Sequence, residues 1–541
     1  MEKRITSFLM ALALCLSLLP TTALANDPTT DWAKLNDALN GTTTTSVDGV
    51  FRVNSIDPLD ITLLTNIVAG TGDTLLTIPA NKTVTLRLEG HTIDRNLAAA
   101  TENGSAISVE NGATLGVLGP GTITGGKTLG NGGGICNSGT LNLYGGTISG
   151  NTATLSGGGI YNTGTINTSY YTTTISNNTA STDGGGIYTT GGALNLYVTT
   201  TINNNKATGK GGGIYTANYV DFRSGTTVTG CEAQNGGGVY VANNGWVENN
   251  GGKITDNTAT EHGGGVYVEH GGTATFGNNA SVKKCTAAQD GGAIYSKGAV
   301  GLETAAISGN TVTGGNGGGI YLGDGGSIFL GKDAKVTENT KNGAANNLYL
   351  CDNILKVKFG TGEDVPAPTS KMSIGVTTQT APTAGNPVKL TENDTEDYKG
   401  YITPDHSDYD VAFVIDHLEL QVTSARPAPS SHGGSYTPGH TVASDLNNVT
   451  KVTIDGKVVD SKYYTVSGGN VYLTDEFMKT LTNGSHTVKL YDGAKVATGT
   501  ITVSGNAAVT APKTADAGIA LYGVLTVSSL LGMGWLGKKK H

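Results

Sequence analysis

Apolar residues in the middle of this chain recur on two scales. On the long scale, an aliphatic residue follows a run of small residues, mostly glycines, at Ile135, Ile160, Ile187, Ile214, Val239, Val266, Ile294 and Ile320, at spacings of 25, 27, 27, 25, 27, 28 and 26 residues. A near-fixed period of this size marks one structural unit per repeat, stacked on its neighbours. On the short scale apolar and polar residues alternate, as in Leu141 and Leu143, Leu194 and Leu196, Val220 and Phe222, Val300 and Leu302, and Ile328 and Leu330. Period two predicts strands with one buried face. A third apolar position follows in each unit, at Ile148, Ile175, Ile202, Val228, Ile254, Val282, Ile307 and Val336. Three short strands per unit, separated by Gly and Asn turns, predict one coil of a right-handed parallel β-helix. Equivalent residues of adjacent coils then lie ~4.8 Å apart. Helical repeats are excluded, because no 3.6-residue period runs through these Gly-, Thr- and Asn-rich units.

Two columns follow from that register. Asn151, Asn178, Asn205, Cys231, Asn257, Cys285, Asn310 and Asn339 stand three residues after the third apolar position. Asparagine suits a left-handed corner, and its amides can form a ladder from coil to coil. Tyr161, Tyr188, Tyr215, Tyr240, Tyr267, Tyr295 and Tyr321 follow the aliphatic residue of the glycine motif and should point outward by alternation. Self-stacking explains such a column. A platform for the flat faces of sugars is its functional reading, and these seven tyrosines are the candidate binding residues.

Flanking segments differ in pattern. Residues 29 to 41 place Trp32, Leu35 and Leu39 on one helical face, with Thr30 or Asp31 to start the helix and Gly41 to end it. This segment is expected to cap the β-helix, whose open end would otherwise expose a sheet edge. The domain plan is a cap over 26–54, the parallel β-helix over 55–423, a Pro/Ser/Gly linker over 424–440 and a small all-β module over 441–505.

The ends of the chain concern location. Lys3 and Arg4 precede an apolar run from Phe8 to Leu19, and Ala23-Leu24-Ala25 follows. This predicts a secretory signal over 1–25, cleaved after Ala25. An uncharged stretch over 517–537 precedes Lys538, Lys539 and Lys540, the layout of a transmembrane segment with its basic end in the cytoplasm.

Composition narrows the function. Gly accounts for 82 of 541 residues, but Pro for only 14, and no Gly-X-Y period is present, which excludes collagen. The net charge of -9 and the absence of a basic patch outside the tail argue against a nucleic-acid partner. Cys231 and Cys285 share a column but lie two coils apart, ~9.6 Å by strand spacing, beyond disulfide reach. With Cys136 and Cys351 they are expected to be free thiols acting as small buried hydrophobes.

Candidate catalytic groups are scattered. The column before the glycines reads Ser156, Asp183, Lys210, Asn235, His262, Asp290 and Asn316. Asp183 and Asp290 are four coils apart, and Asp256 and Glu338 three, too far to work as a pair. His262 is expected to be solvated, with Glu261 on the opposite face. Glu89, His91, Asp94 and Arg95 in the irregular early coils are the alternative source of catalytic side chains. No residue is assigned a catalytic role. No metal-ligand spacing, phosphate loop or calcium-binding nonapeptide is present, and no cofactor is expected.

The repeat GGGIY, paired with "ISGN" (Ile148 to Asn151) or "ITDN" (Ile254 to Asn257), resembles the repeats of polymorphic outer-membrane adhesins over about 130 to 350. The coils resemble the pectate-lyase-like superfamily in architecture. The pattern "DGK…YYTV…HTVKLYDG" resembles the immunoglobulin-like modules of Gram-positive surface proteins, which serve as spacers. The C-terminal residues 511–541 resemble a sortase sorting signal. Pro512 and Thr514 match the Leu-Pro-x-Thr-Gly pentapeptide, whereas Ala511 and Ala515 depart from its Leu and Gly. The resemblances imply sortase and peptidoglycan as anchoring partners and a cell-surface protein of a Gram-positive bacterium. They also imply an adhesin-like role toward a glycan or protein ligand, with a polysaccharide lyase or glycoside hydrolase as the alternative.

Overall fold

The computed structural model describes residues 30–503, apart from 43–44, 170, 198, 353–356, 361–365, 384–385, 392–395, 415–416, 423–440, 444–448, 468–469, 474–476, 478–479, 483 and 493–494. The expected signal cleavage at Ala25, the linker, and the anchor with Pro512, Thr514, Ala515 and the span 517–537 lie outside the described residues. Among the described residues no helix is long and apolar enough to cross a membrane. The chain divides into two compact units, 1–426 and 427–541.

The first unit is a parallel β-solenoid. One coil shows its plan: a first strand Ile187–Thr189, a second Leu194–Leu196, a third Thr200–Asn203 and a two-residue fourth, Lys206–Ala207. Each pairs in parallel with its counterpart one coil on: Tyr188 opposite Tyr215, Leu194 opposite Val220, Ile202 opposite Val228, and Lys206 opposite Glu232. The second strands build a 13-stranded sheet, called the broad sheet below, and the fourth strands a 10-stranded one. First and third strands join a 24-stranded sheet through Ser373–Thr378, which pairs with members of both kinds. The three strands read from the alternation are present. The fourth went unread because two residues show no period. Its inward residue is small, at Ala153, Ala180, Ala207, Ala233, Ala259 and Ala287, each two residues after the Asn column.

The interior is a stack of aliphatic files. Ile135, Ile160, Ile187, Ile214, Val239, Val266, Ile294 and Ile320 are all fully buried, as are Ile175, Ile202, Val228 and Ile254 in the third strands. Such burial is worth about 1.5–3 kcal/mol per side chain, and it repeats at every coil.

The three glycines before the first strand are each explained by what surrounds them. Gly184 has φ +65°, a conformation that side chains resist. A Cβ on Gly185 would sit 2.5 Å from the Gly212 carbonyl oxygen, and one on Gly186 2.6 Å from that of Gly213. The coils approach too closely here for most side chains, and in the eight glycine repeats only the third place carries one, the buried Ala293.

The Asn column corrects the expectation about the corner. The left-handed residues are the ones before it, Gly150, Asn177, Asn204, Gly230, Asp256, Lys284, Gly309 and Glu338. The column itself points inward and is buried. Asn178 shows its role: the side-chain oxygen accepts from the backbone N–H of Asn151 at 3.1 Å and from its Nδ2 at 3.0 Å, while Nδ2 of Asn178 donates to the Ile148 carbonyl at 3.0 Å. Asn205 and Asn339 repeat the pattern on Asn178 and Asn310. The side chain therefore satisfies the polar backbone groups of a buried bend.

Both ends of the solenoid are covered. The helix Asp31–Leu39 starts at Thr30, whose hydroxyl accepts from the Ala33 N–H at 3.0 Å. It buries Trp32, Leu35, Ala38 and Leu39 in the same core as the coils. At the other end Tyr409–Val414 follows the last parallel strand, Ile402–Pro404, and forms an antiparallel sheet with His417–Val422 and Val388–Lys389, with Leu390 and Val411 buried in the same core as the coils.

The second unit has two antiparallel sheets. One contains Thr441–Ala443, Asn470–Leu473 and Tyr464–Ser467, the other Lys457–Val458, Lys451–Ile454, Gly484–Asp492 and Lys495–Val503. Val452, Ile454, Val459, Val471, Leu473, Val488, Leu490 and Ile501 form its own core.

Candidate binding surfaces

The seven predicted tyrosines form one continuous stack, and Tyr349 extends it. Successive ring centroids are 4.5–5.5 Å apart from Tyr161 to Tyr349, and interplanar angles stay between 4° and 24°. Each such pair is worth about 0.5–1.5 kcal/mol beyond the area it buries. Within the file every ring face is covered by the next ring, so what the column presents outward is ring edges and hydroxyls. Lys210 lies 4.6 Å over the Tyr240 ring, and Tyr240 keeps only 2% of its surface exposed. Burial raises the phenol pKa of Tyr215, Tyr240, Tyr295 and Tyr321. These groups stay protonated at neutral pH, and the Tyr321 hydroxyl accepts from the Cys351 thiol at 3.1 Å.

The column before the glycines is a second ladder of acceptors. Asp183 accepts from the Lys210 N–H at 2.8 Å, Asn235 from His262 at 3.2 Å, and Asp290 from Asn316 at 2.8 Å. His262 is not simply solvated, as the sequence suggested. Its Nδ1 lies 3.4 Å from Asp290 Oδ2, and its ring packs 4.5 Å from Tyr295. The residues of this column serve the corner, and the long separation of Asp183 from Asp290 stands.

A denser cluster lies on the outer face of the broad sheet, in strands Tyr219–Arg223 and Trp246–Asn250. Alternation turns Val220, Phe222, Val247 and Asn249 inward, leaving Tyr219, Asp221, Arg223, Trp246, Glu248 and Asn250 outside. The register puts Asp221 opposite Glu248, one coil apart. Tyr219 donates its hydroxyl to Glu248 at 2.6 Å, and Arg223 pairs with the Asp221 Oδ2 at 2.5 Å. Asp221 is 3% exposed, and its Oδ1 has no hydrogen-bond partner. Burial pushes its carboxyl above the usual carboxylate range, against the pull of Arg223. Trp246 meets Tyr219 edge-on at 5.6 Å and leaves 45% of its surface open. On the preceding coils Asn195 donates to Asn167 at 2.8 Å and Asn167 to Asn142 at 2.9 Å, a strip of amides leading to the carboxylates. Sequence reasoning weighed the carboxylates of the corners and passed over those of the second strand. Its signal was there, because "YVDFR" and "WVENN" place every polar or aromatic residue but Phe222 and Asn249 on the outward parity.

The early-coil candidates separate. Glu89 and His91 line an open depression of about 550 Å³ with Arg52 and Arg87, and Arg87 is already held by Asp60 at 2.9 Å. Asp94 instead accepts from the Asn96 N–H at 2.7 Å, and Arg95 is buried against the Trp32 ring, donating to the Asp73 carbonyl at 2.8 Å. Asp94 thus serves a local turn, and Arg95 packs on the cap helix.

All four described cysteines are free. Cys231 and Cys285 are fully buried, and burial pushes their thiols up to about 12. Cys136 and Cys351 differ from the expectation in being only half-buried. Among the described residues no group of three His, Cys, Asp or Glu side chains is placed to hold a metal ion.

The repeat of the Chlamydia polymorphic membrane proteins matches residues 172–190 and 199–217. Each matched stretch runs from a third strand through the Asn column and the glycine corner into a first strand. The likeness therefore belongs to the repeat unit and covers a small part of the chain. No curated protein and no solved structure matches.

Proposed function

We propose that the chain is an adhesin-like protein displayed at the cell surface, and that its solenoid binds a glycan on the outer face of the broad sheet. The exposed Trp246 ring beside Asp221 and Glu248 carries this reading. An open indole face accepts the apolar face of a sugar, while carboxylates and side-chain amides take its hydroxyls. The tyrosine column enters as a neighbouring edge of hydroxyls, Tyr161, Tyr188, Tyr215, Tyr240, Tyr267, Tyr295 and Tyr321. The signal ending at Ala25 and the sorting motif around Pro512, Thr514 and Ala515 support export and attachment to peptidoglycan by a sortase in a Gram-positive bacterium. The second unit then acts as an immunoglobulin-like spacer.

A second reading is favoured by one observation. Asp221 and Glu248 stand opposite each other on adjacent coils, whose backbones lie ~4.8 Å apart, which brings two carboxyl groups together on one face as retaining glycoside hydrolysis requires. The raised Asp221 pKa suits a proton donor and leaves Glu248 as the nucleophile.

One glycan array run beside a reducing-end assay tests both. Saturable binding that falls at least tenfold in Trp246→Ala, with no sugar ends released, supports the adhesin. Release abolished by Glu248→Gln supports the hydrolase. Binding untouched by Trp246→Ala removes this face from the proposal.

A further inference from the structure

The outer face of the broad sheet carries one straight polar file. Asn142, Asn167, Asn195, Asp221 and Glu248 stand in register on successive coils, ~4.8 Å apart. The three asparagines are half-buried, and the bonds that hold them in rank use one N–H each of Asn167 and Asn195. A carboxamide has two N–H groups and an oxygen, so every amide keeps at least one N–H for a partner, and Asn195 its oxygen as well. An open aromatic ring bounds the file at each end. Trp246 stands two residues before Glu248 and is 45% exposed. At the other end the next place in the file is Gly116, and the ring of Tyr144 leans into it: a Cβ on Gly116 would lie 3.3 Å from Tyr144 Cε2. Tyr144 is 39% exposed. From the coil of Gly116 to that of Glu248 the distance along the stack is ~24 Å.

We propose that this file binds an uncharged, linear β-1,4-linked glycan lying along the solenoid axis, with one sugar on the Tyr144 ring and another on Trp246. The inference rests on the glycan reading of this face and adds the length, linkage and charge of the chain. Equatorial bonds on both sides of each pyranose keep such a chain extended, advancing about one ring per ~4.8 Å coil, so successive sugars meet successive side chains of the file. A peptide strand advances about 3.3 Å per residue and falls out of step. An α-1,4-linked glucan curls away from a straight file. Reaching from Tyr144 to Trp246 takes about six rings at this spacing. Charge completes the description. Arg223 is the one cation in these five strands, and Asp221 already holds it. A uronate or a sulfated sugar would meet Asp221 and Glu248 with no free cation to offset them, whereas neutral hydroxyls suit carboxyl and amide groups alike.

Isothermal calorimetry on the purified chain tests this with cello-, manno-, xylo- and chito-oligosaccharides of increasing length. In at least one series the affinity should rise at least tenfold between the trimer and the hexamer and then level off. Tyr144→Ala should return the hexamer to the affinity of the trimer and leave the trimer, held at Trp246, unchanged. Tyr144→Phe keeps the ring and should keep the hexamer affinity. Hexagalacturonate should bind at least tenfold more weakly than the best neutral hexamer. Affinity that stops rising at the trimer, a hexamer indifferent to Tyr144→Ala, or hexagalacturonate bound as tightly as the neutral chains overturns the inference. Trimer binding that still falls in Trp246→Ala would then leave the glycan reading of the face standing. No binding in any series overturns the inference as well, and the glycan array decides the broader reading separately.

Discussion

Two files of identical residues run along this solenoid, the asparagines inside and the tyrosines outside, and they hold it together in different ways. Each asparagine satisfies a buried backbone N–H and a carbonyl of the coil before its own. Each tyrosine covers its neighbour's ring but completes no backbone group. The inner file is a condition of folding because an unmet polar group in the core costs about 1–3 kcal/mol. The outer file adds packing, about 0.5–1.5 kcal/mol per pair, and stops at Cys136 while the coils continue. The cysteines sharpen the contrast. Cys231 and Cys285 stand in the inner file without a carboxamide, yet their own N–H groups still find Asn257 and Asn310, each at 2.9 Å.

The contrast can be broken at three levels. The severest is the corner both files share. Gly185→Ala forces a methyl group onto the Gly212 carbonyl and should cost roughly 4 kcal/mol or more, lowering expression or opening adjacent coils to hydrogen exchange. Unchanged protection there would mean the coils are not so close. Next, Asn178→Ala leaves the Asn151 N–H and the Ile148 carbonyl without their partner, an expected loss of about 2–4 kcal/mol by denaturant unfolding. The reverse change, Cys231→Asn, should gain about 1 kcal/mol. Mildest is Tyr215→Leu, which removes two stacked pairs for about 1–3 kcal/mol and leaves exchange protection in the interior unaltered. If Tyr215→Leu cost as much as Asn178→Ala, the distinction between the files would collapse.

The parts legible in the sequence were those that repeat. Ile187, Ile214 and Val239 announce a coil because one physical demand, an inward aliphatic at fixed register, recurs every turn. The tyrosine stack and the amide ladder follow from the same register. Local backbone choices were less visible. Asn177 and Asn178 are adjacent and chemically alike, and only the three-dimensional bend decides that the first takes positive φ while the second turns inward. The Asp221 and Glu248 pair does not repeat at all. It breaks a file of asparagines at Asn142, Asn167 and Asn195, so a search for recurring columns passes over it. In a repetitive fold such a search misses the departures from the pattern, and the break in the tyrosine file at Cys136 is another of them.

Strict register has a mechanical consequence. Because Tyr188 lies over Tyr215 and Ile202 over Val228 in the same way as on the coils before and after, a whole turn added or removed between two glycine corners leaves both caps intact. Such a change shifts the reach of the molecule by ~4.8 Å, one step of a ruler. The length of the solenoid is then a quantity the sequence can adjust in units, independently of what stands on any one coil.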